Sequence, residues 1–410
     1  MIYIYVFDEN SRAGRYGIGT YIQQLQESIA TYDNISLNIV RISANVDEFK
    51  IEYLPNYNLF LIPNMVLKFK TMMNVELYYR NISYLLYSYI SSSSNDKLIF
   101  HLNYCQQYHL VSYLRKMFVD AKIIFTIHYQ EWCFMLKGNV LKYKSILHNK
   151  AKSTELSDKS AILLDIYTKE KRLFEDVDSI ICLSKYTFEL LRDEYFISLN
   201  KMQVIYNGLK DYFNNEFEIS ILKYQSVTCS ERIIVFVGRL DEIKGCDILI
   251  DAFKLVLVLY SNCKLLIIGD GLYYSKYLKL SADIDGRIVF MGHLEKKDLY
   301  DCYGKSYLGV VPSFHEQCSY VAIEMMMFSL PIIASMTTGL NEMIEDEISG
   351  SKFNELDNRE IVVKSLAEKI LNVLNMNNES YQKISKASRL RYEKEYQLSI
   401  MSRKMTLIYK

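Results

Sequence analysis

Short apolar runs alternate with longer amphipathic segments along most of the chain. The runs are IYIYVF, LNIVRI, LIFHL, KIIFTI, SIICLS and MQVIYN in the first half, and RIIVFVG, CKLLIIG, RIVFMG, YLGVVPS and PIIAS in the second. Runs that are apolar throughout are typical of strands buried on both faces of a parallel sheet. The segments between them include TYIQQLQESIA, KYTFELLRDEY and CDILIDAFKLVLVL, which have helical periodicity. The pattern predicts an α/β fold with doubly wound, right-handed parallel sheets.

The alternation occurs twice, and a polar stretch at residues 210–231 separates the two series. We therefore predict two Rossmann-like domains, covering residues 1–215 and 216–396. The last segment, 397–410, carries an apolar stripe at helical spacing, so we expect a terminal helix that must dock on the protein. Doubly wound sheets bind ligands at the carboxyl ends of their strands. The sequence thus predicts a site in a cleft between two such domains.

Composition narrows the possible functions. The 410 residues carry 48 basic and 48 acidic side chains, so no broad electrostatic argument for nucleic-acid binding exists. The eight cysteines are scattered without a CxxC pair, which favours reduced thiols in a cytoplasmic protein and argues against a structural zinc site. The first apolar run ends at Asp8 and Glu9 without a basic leader, and no apolar stretch approaches the ~18–20 residues that span a bilayer. These features predict a soluble cytoplasmic protein.

Glycines follow the first predicted strand. Gly14, Gly17 and Gly19 precede an amphipathic helix, where backbone N–H groups can approach an anion. Ile22 stands where the dinucleotide-binding fingerprint has its third glycine, and a tight strand-to-helix turn explains the same pattern.

Two histidines end neighbouring strands of the first half. His128 ends KIIFTIH, and His101 lies at the same position one strand earlier. A histidine there is usually a packed neutral imidazole, so the sequence leaves open which of the two has a functional role.

Two cations lie across a strand-to-helix loop in the second half. In VFVGRLDEIKGCDILI, Arg239 follows the strand and Lys244 precedes the helix. Arginine binds phosphate oxygens bidentately and lysine adds a point charge, so the pair predicts a diphosphate clamp. We expect Lys244 to lie in an exposed loop.

Two glutamates flank the start of a helix in VVPSFHEQCSYVAIEMMM. Glu316 and Glu324 are eight positions apart, about 12 Å along a helix. That spacing suits two carboxylates that accept hydrogen bonds from hydroxyl groups at opposite ends of one ligand, with helix N–H groups for phosphates between them. Because Glu324 lies in an apolar run, its carboxylate needs a partner.

The motifs together resemble the retaining glycosyltransferases of family 4, the glycogen-synthase-like group with the GT-B fold. The matching motifs are GxGxY, TIH, VIYNG, VGRL…KG, IIGDG, PSFHEQCSYVAIEMM and TTGLNEMI, and they cover nearly the whole chain. The family has E-G-F-G where this chain has EQCS, and a glycine where it has Ser329. The EQCSYVAIEMM variant resembles a subgroup associated with bacterial peptide-maturation gene clusters.

The resemblance implies a role for each matching residue. Arg239 and Lys244 would bind the donor diphosphate, Glu324 the ribose, and Glu316 the sugar. Gly17 and Gly19 would form a glycine loop that binds the donor. Gly292, His293 and Leu294 would lie against the base, and the backbone amides at Cys318 and Ser319 would also bind the donor. His128 would contact the transferred sugar, and the terminal helix would cross back onto the first domain.

The resemblance also implies the substrates. The donor would be a UDP-, GDP- or ADP-sugar and the acceptor a glycan, a lipid-linked sugar or a peptide, with no cofactor. No paired aspartates stand at a strand end, so we expect no metal. Other hypotheses are a nucleotide-sugar epimerase, a phosphorylase and a catalytically silent sugar-nucleotide-binding subunit. The tyrosine-rich stretch from Lys68 to Tyr89 is either an ordinary packed helix or a weak peripheral membrane contact at the inner face.

Overall fold

A computed structural model of the chain describes residues 1–10, 17–30, 32–64, 72–90, 96–148, 158–213, 231–284, 286–353 and 358–410. Gly14, Lys68, Cys229 and most of the predicted linker at 210–231 lie outside the described residues. The chain divides into two compact units. The first comprises Met1–Trp132, Leu141–Gly208 and Leu398–Lys410, and the second comprises Cys133–Val140 and Leu209–Gln397.

The first unit contains a sheet of eight strands among the described residues, in the order β3-β4-β2-β1-β5-β6-β7-β8. All pairings are parallel except that of β3 with β4. The strand order reverses between β1 and β5, so the carboxyl ends of these two strands are the expected ligand-binding position of this unit. The strands are β1 (Ile2–Glu9), β2 (Ile35–Ala44), β3 (Lys50–Tyr53), β4 (Asn58–Pro63), β5 (Lys97–Leu102), β6 (Lys122–Ile127), β7 (Ser179–Cys182) and β8 (Met202–Val204).

Helices connect these strands as parallel pairing requires. They are α1 (Gly17–Ile29), α2 (Met72–Tyr89), α3 (Tyr108–Met117), α4 (Trp132–Met135), α5 (Val140–His148), α6 (Asp158–Asp176) and α7 (Lys185–Asp193). Helix α2 buries Tyr79, Ile82 and Leu86 and leaves Tyr84 and Tyr87 exposed. It is therefore a packed helix with tyrosines on its outer face.

The second unit contains a sheet of six parallel strands among the described residues, in the order β11-β10-β9-β12-β13-β14. The order reverses between β9 and β12, which are hydrogen-bonded neighbours. The loops after these two strands therefore lie at the switch point of this sheet. The strands are β9 (Arg232–Val237), β10 (Cys263–Ile268), β11 (Ile288–Gly292), β12 (Leu308–Val311), β13 (Ile332–Ser335) and β14 (Gly350–Phe353).

The helices of the second unit cover both faces of its sheet, and one further helix closes the chain. Those of the second unit are α8 (Cys246–Leu259), α9 (Tyr274–Leu280), α10 (Lys296–Lys305), α11 (Tyr320–Met327), α12 (Leu340–Met343), α13 (Arg359–Leu374) and α14 (Asn378–Arg391). The last helix of the chain is α15 (Leu398–Tyr409). Side chains of β9, α8 and α13 share one core, for example Ile234, Phe253 and Leu366. Within the described part of the chain, no helix is long and apolar enough to cross a membrane.

The terminal helix α15 belongs to the first unit, where it packs on α1. Its stripe of Met401, Met405 and Ile408 is buried. Lys122 of β6 donates a hydrogen bond to the Ile408 carbonyl at 2.6 Å. Apolar burial and a capped carbonyl thus fix the end of this helix.

The prediction of two doubly wound α/β sheets is confirmed, and each apolar run named above contributes a strand. The division into units differs from the predicted boundary at residue 215 in two ways. The first unit leaves off at Gly208 before it resumes at Leu398, and residues Cys133–Val140 join the second unit. Gly138 explains why residues Cys133–Val140 join the second unit. It has a φ of +73°, and a Cβ there would lie 2.0 Å from the Phe314 carbonyl oxygen, so only glycine permits this backbone contact.

The turn after α11 keeps a glycine-type conformation without glycine. Ser329 has a φ of +60°. Its amide donates to the Met326 carbonyl at 3.0 Å, and the Leu330 amide donates to Met325 at 3.0 Å. These bonds close the helix as a left-handed C-cap would, so Ser329 preserves the turn at a conformational cost.

We expect Ser329→Gly to stabilise the protein by roughly 0.5–1 kcal/mol, because relief of the left-handed strain exceeds the added flexibility of the unfolded chain. Urea unfolding measures the change. Ser329→Ala is the matched control and should give no gain, since alanine keeps the Cβ. Equal stabilisation by both variants would contradict this account.

Candidate functional site

The loop between β9 and α8 presents the two predicted cations at the switch point of the second unit. Arg239 follows the strand, and a short 3₁₀ turn from Glu242 to Lys244 precedes the helix. Gly245 then adopts a φ of +65°, and a Cβ there would lie 2.1 Å from the Pro312 carbonyl oxygen. Glycine is required because the backbone of the β12–α11 loop passes directly beside it.

Lys244 and Glu316 form an ion pair between these two loops. The lysine Nζ donates to Glu316 Oε1 at 2.5 Å, and the hydroxyl of Ser313 donates to the same oxygen at 2.9 Å. The side chains are only 21% and 15% exposed. The expectation of an exposed Lys244 is therefore wrong, because the lysine turns back onto the adjacent loop. Within the described residues, Glu316 Oε2 makes no hydrogen bond, so it can accept one from a ligand.

Arg239 is held in a similar way. Its Nε lies 3.3 Å from Asp241 Oδ2, and the two side chains are 20% and 17% exposed. Each predicted cation thus has a carboxylate beside it, which orients the cation before an anion arrives.

The backbone of Glu316 is fixed by the loop after β13. Its amide donates to Thr338 Oγ1 at 3.0 Å, and its carbonyl accepts from the Gly339 amide at 2.8 Å. A Cβ on Gly339 would lie 1.8 Å from the Gln317 carbonyl oxygen. The TTG motif therefore holds Glu316 in place through backbone contacts that only glycine allows.

Glu324 is buried in the middle of α11. It is 6% exposed, and Tyr303 of α10 donates its hydroxyl to Oε2 at 3.1 Å. Burial raises the pKa of Glu324, while the charge of Lys296 and the Tyr303 hydrogen bond act in the opposite direction. The Lys296 Nζ is buried and makes no hydrogen bond within the described part of the chain. The predicted partner of Glu324 is thus Tyr303, supported by the ammonium group of Lys296.

The start of α11 lies between the two glutamates. Ser319 caps it, with its hydroxyl accepting from the Ala322 amide at 3.4 Å, and Cys318 is buried beside it. The Ser319 amide contacts the sulfur of Met343 at 3.3 Å, which is a weak acceptor. A phosphate oxygen would be a stronger partner for that N–H group.

The predicted base-side loop follows β11. Gly292 has a φ of +67° and accepts a hydrogen bond from the Gly269 amide at 2.7 Å. His293 is exposed and Leu294 is partly buried. This loop therefore lies at the same edge of the sheet as the loop after β10.

In the first unit, the structure distinguishes the two histidines. His101 is fully buried, and both of its ring nitrogens are engaged, Nδ1 with Tyr409 Oη and Nε2 with Thr126 Oγ1, each at 2.7 Å. Burial lowers the pKa of His101 to about 3. His101 is a core residue that ties α15 to β6.

His128 is partly exposed at the end of β6. Its Nε2 lies 3.0 Å from Asn103 Oδ1, and the ring of Tyr21 packs edge-on against the imidazole at 4.6 Å between centroids. Burial and the neighbouring His101 lower the pKa of His128 to about 3. His128 is thus a neutral imidazole held at a strand end. Gly17 and Gly19 lie at the start of α1, the helix that carries Tyr21.

A buried polar network supports the loop that follows His128. Tyr195 donates to Glu170 Oε2 at 2.5 Å, and the Glu131 amide donates to the other oxygen at 3.1 Å. Tyr143 and Gln130 bond to the Tyr195 hydroxyl at 2.7 and 3.1 Å. Burial raises the pKa of Glu170 to about 7. The carboxyl group that anchors this loop is therefore largely neutral below pH 7.

The sequence did not identify Ser313, Tyr303, Lys296, Asn103 or Glu170. Tyr303, Lys296 and Asn103 act on a predicted site residue from another part of the chain. Ser313 precedes Glu316 by three positions, and Glu170 bonds to the loop that follows His128. A buried-carboxylate argument predicts a partner for Glu324 but not its identity. Within the described ranges, no three His, Cys, Asp or Glu side chains are grouped so as to hold a metal ion.

Comparisons with known proteins agree with this fold. Residues 231–376 match the family described as glycosyl transferases group 1. An uncharacterised glycosyltransferase of Methanocaldococcus jannaschii is 30% identical over 316 residues, which cover 72% of this chain and 80% of that protein. Matches to two other curated relatives span only 60% and 52% of their lengths.

Solved structures show the same fold across the chain. Sucrose-phosphate synthase from Thermosynechococcus elongatus has a TM-score of 0.76 at 19% identity and covers 100% of this chain and 98% of its own. HepE of Anabaena, solved with UDP and glucose, has a TM-score of 0.72 at 15% identity, with 100% and 99% covered. The fold class is therefore GT-B, with two Rossmann-like units. The chain belongs to the group 1 glycosyltransferases.

The raised pKa of Glu170 predicts how the stability of the protein depends on pH. The carboxyl group ionises near 4.5 in the unfolded chain and near 7 in the folded protein, so it stabilises the fold below pH 4.5 and this stabilisation is lost as pH rises to about 7. The loss is about 3 kcal/mol for a group this buried. Urea unfolding of the wild type and of Glu170→Gln from pH 4.5 to 8 measures it.

The difference in unfolding free energy between the two proteins isolates Glu170, since other titrations are common to both. Wild type should lose stability relative to Glu170→Gln as pH rises. A difference that is constant over this range would contradict the neutral carboxyl group.

Proposed function

We propose that this protein is a retaining glycosyltransferase that moves a sugar from a nucleotide-sugar donor to an acceptor hydroxyl group without a metal ion. The observation that carries the proposal is the Lys244–Glu316 ion pair at the switch point of the second sheet. The pair joins a cation suited to phosphate and a carboxylate suited to sugar hydroxyls, in a chain of this family.

The second unit has a candidate binding group for each part of a nucleotide sugar. Arg239 and Lys244 suit the diphosphate, and the free Oε2 of Glu316 suits a sugar hydroxyl. Glu324, one helix segment further, suits the ribose diol, because its second oxygen can accept while Tyr303 occupies the first. The amide of Ser319 would add an N–H group for phosphate. Gly292, His293 and Leu294 would lie against the base.

His128 is the proposed sugar contact in the first unit, and His101 is not, because both of its nitrogens are already bonded. Gly17 and Gly19 would approach the donor phosphates through backbone N–H groups at the start of α1. We assign no covalent nucleophile. Attack would occur from the leaving-group face, with a donor phosphate oxygen taking the acceptor proton.

The leaving diphosphate gains negative charge as the glycosidic bond breaks. Two oriented cations and a helix N-terminus stabilise such charge without reorganisation, which is the basis for proposing metal independence. HepE binds UDP and UDP-glucose, so UDP-sugars are the first donors to test, followed by GDP- and ADP-sugars. The proposed acceptors are a glycan, a lipid-linked sugar or a peptide, at the cytoplasmic side.

A panel of nucleotide sugars tests the proposal directly. Slow release of nucleoside diphosphate and free sugar with retained anomeric configuration would support a transferase. Interconversion of the sugars would identify an epimerase instead, and binding without turnover would identify a silent subunit.

Lys244→Ala tests the phosphate role of this lysine in the same assay. It should slow turnover by 10²-fold or more, since it removes a cation that acts on developing charge. Lys279→Ala is the matched variant, because Lys279 is an exposed lysine on α9. Equal turnover by the two variants would contradict the phosphate role of Lys244.

Turnover should survive excess EDTA, because Arg239 and Lys244 supply the positive charge that a metal would otherwise provide. The measurement is the release of nucleoside diphosphate with and without chelator. Complete loss that magnesium or manganese restores would overturn metal independence.

The two glutamates should affect different kinetic constants. Glu324→Gln should mainly raise the donor KM, because the ribose does not change during reaction. Glu316→Gln should lower kcat by ~10²-fold or more, because the sugar ring gains positive charge in the transition state. Donor titrations of both variants provide the test.

Glu368→Gln is the matched control, since Glu368 is exposed on α13 and should change neither constant. If Glu316→Gln changes only KM while Glu324→Gln abolishes kcat, the proposed orientation of the donor is reversed.

A further inference from the structure

Asn103 lies at the switch point of the first sheet, immediately after β5 and beside His128. The side chain is 1% exposed, although it is polar. A buried amide is costly unless its donor and acceptor groups are bonded. Its partners therefore determine how it is oriented.

These two partners allow only one orientation of the Asn103 side-chain amide. The Asn103 Nδ2 donates to the Phe7 carbonyl of β1 at 3.0 Å, and Oδ1 lies 3.0 Å from His128 Nε2. A backbone carbonyl can only accept, so the amide nitrogen must face β1. The amide oxygen, which also can only accept, then faces the histidine. His128 must donate from Nε2.

The protonation state of His128 completes the argument. Its pKa is lowered to about 3 by burial and by the adjacent His101, so the ring carries a single proton at neutral pH. With that proton on Nε2, the Nδ1 atom is an acceptor. Nδ1 makes no hydrogen bond within the part of the chain that the structure describes. Tyr21 packs edge-on against the ring and limits its rotation.

We propose that Asn103 is a positioning residue that holds His128 in the Nε2-protonated tautomer, so that Nδ1 accepts a hydrogen bond from a substrate hydroxyl group. The proposal rests on the transferase function proposed above. Asn103 acts through His128 and does not itself contact the substrate. The carbonyl of Phe7, in the strand between β2 and β5, is the fixed reference for the whole arrangement.

The tautomer can be observed without any activity assay. In protein labelled with ¹⁵N-histidine, six residues contribute signals, and the signals missing from His128→Gln belong to His128. We expect the shift of a protonated nitrogen at Nε2 and of an unprotonated nitrogen at Nδ1, unchanged between pH 5.5 and 8. A protonated Nδ1 or a mixture of tautomers in the wild type would overturn the proposal.

Variants test the role in turnover. Asn103→Leu should mix the tautomers and lower kcat on the order of ten-fold, the equivalent of one hydrogen bond. Asn103→Asp keeps an acceptor oxygen for Nε2 and should retain the tautomer, while it loses the donor to the Phe7 carbonyl and should lower stability. The Asn103→Leu, His128→Gln double variant should be no slower than His128→Gln alone, because Asn103 acts only through the histidine. Additive losses would show a merely structural role and contradict the proposal.

The proposed role of Asn103 and the proposed transferase function can fail separately. Should Asn103→Leu not fold, the wild-type spectrum and the Asn103→Asp variant still decide the tautomer. The expected tautomer together with no turnover of any nucleotide sugar would contradict the proposed transferase function and leave the assignment of the His128 proton standing.

Discussion

The ion pair between Lys244 and Glu316 is the contact on which the arrangement of the second unit depends. It joins the loops that follow β9 and β12, the two strands at the switch point. Backbone contacts reinforce the junction. The Phe314 amide donates to the Ile243 carbonyl at 2.8 Å, and Gly245 lies against Pro312. A mostly buried ion pair adds little net stability, so the pair contributes mainly to the orientation of the two side chains.

The first unit places two neutral imidazoles at and behind its strand ends. Burial lowers the pKa values of His101 and His128, and it raises the pKa of Glu170 so that this carboxyl group is largely neutral below pH 7. Neutral groups with fixed donors and acceptors can orient hydroxyl groups without attracting phosphate. The second unit thus has paired charges at its switch point, and the first has neutral groups with fixed donors and acceptors.

Much of the fold could be predicted from the sequence because its central strands are apolar throughout. The strands that were missed are of a different kind. KIEY at Lys50–Tyr53 is a polar edge strand with antiparallel pairing, and GSKF at Gly350–Phe353 has one large apolar residue. NLFLIP at Asn58–Pro63 is apolar and as long as several predicted strands, but it ends in proline. Edge strands pack on one side and carry a weaker pattern.

The site was predictable in its residue types and order but not in its pairings. Local spacing predicted that Arg239 and Lys244 lie in a strand-to-helix loop. It also predicted that Glu316 and Glu324 flank the start of a helix. The bonds from Tyr303 to Glu324 and from His128 to Asn103 join separate elements, so no periodicity reveals them. The same holds for Lys244, whose burial results from a loop that lies 72 positions away in sequence.

A double-mutant cycle on Lys244→Met and Glu316→Gln tests most directly whether this pair organises the second unit. The measured quantity is the coupling in unfolding free energy, from urea titrations of the wild type, both single variants and the double variant. We predict a coupling of about 1–3 kcal/mol, as expected for side chains in direct contact. Free energies that add within about 0.5 kcal/mol would show that the two residues are independent and would contradict the account.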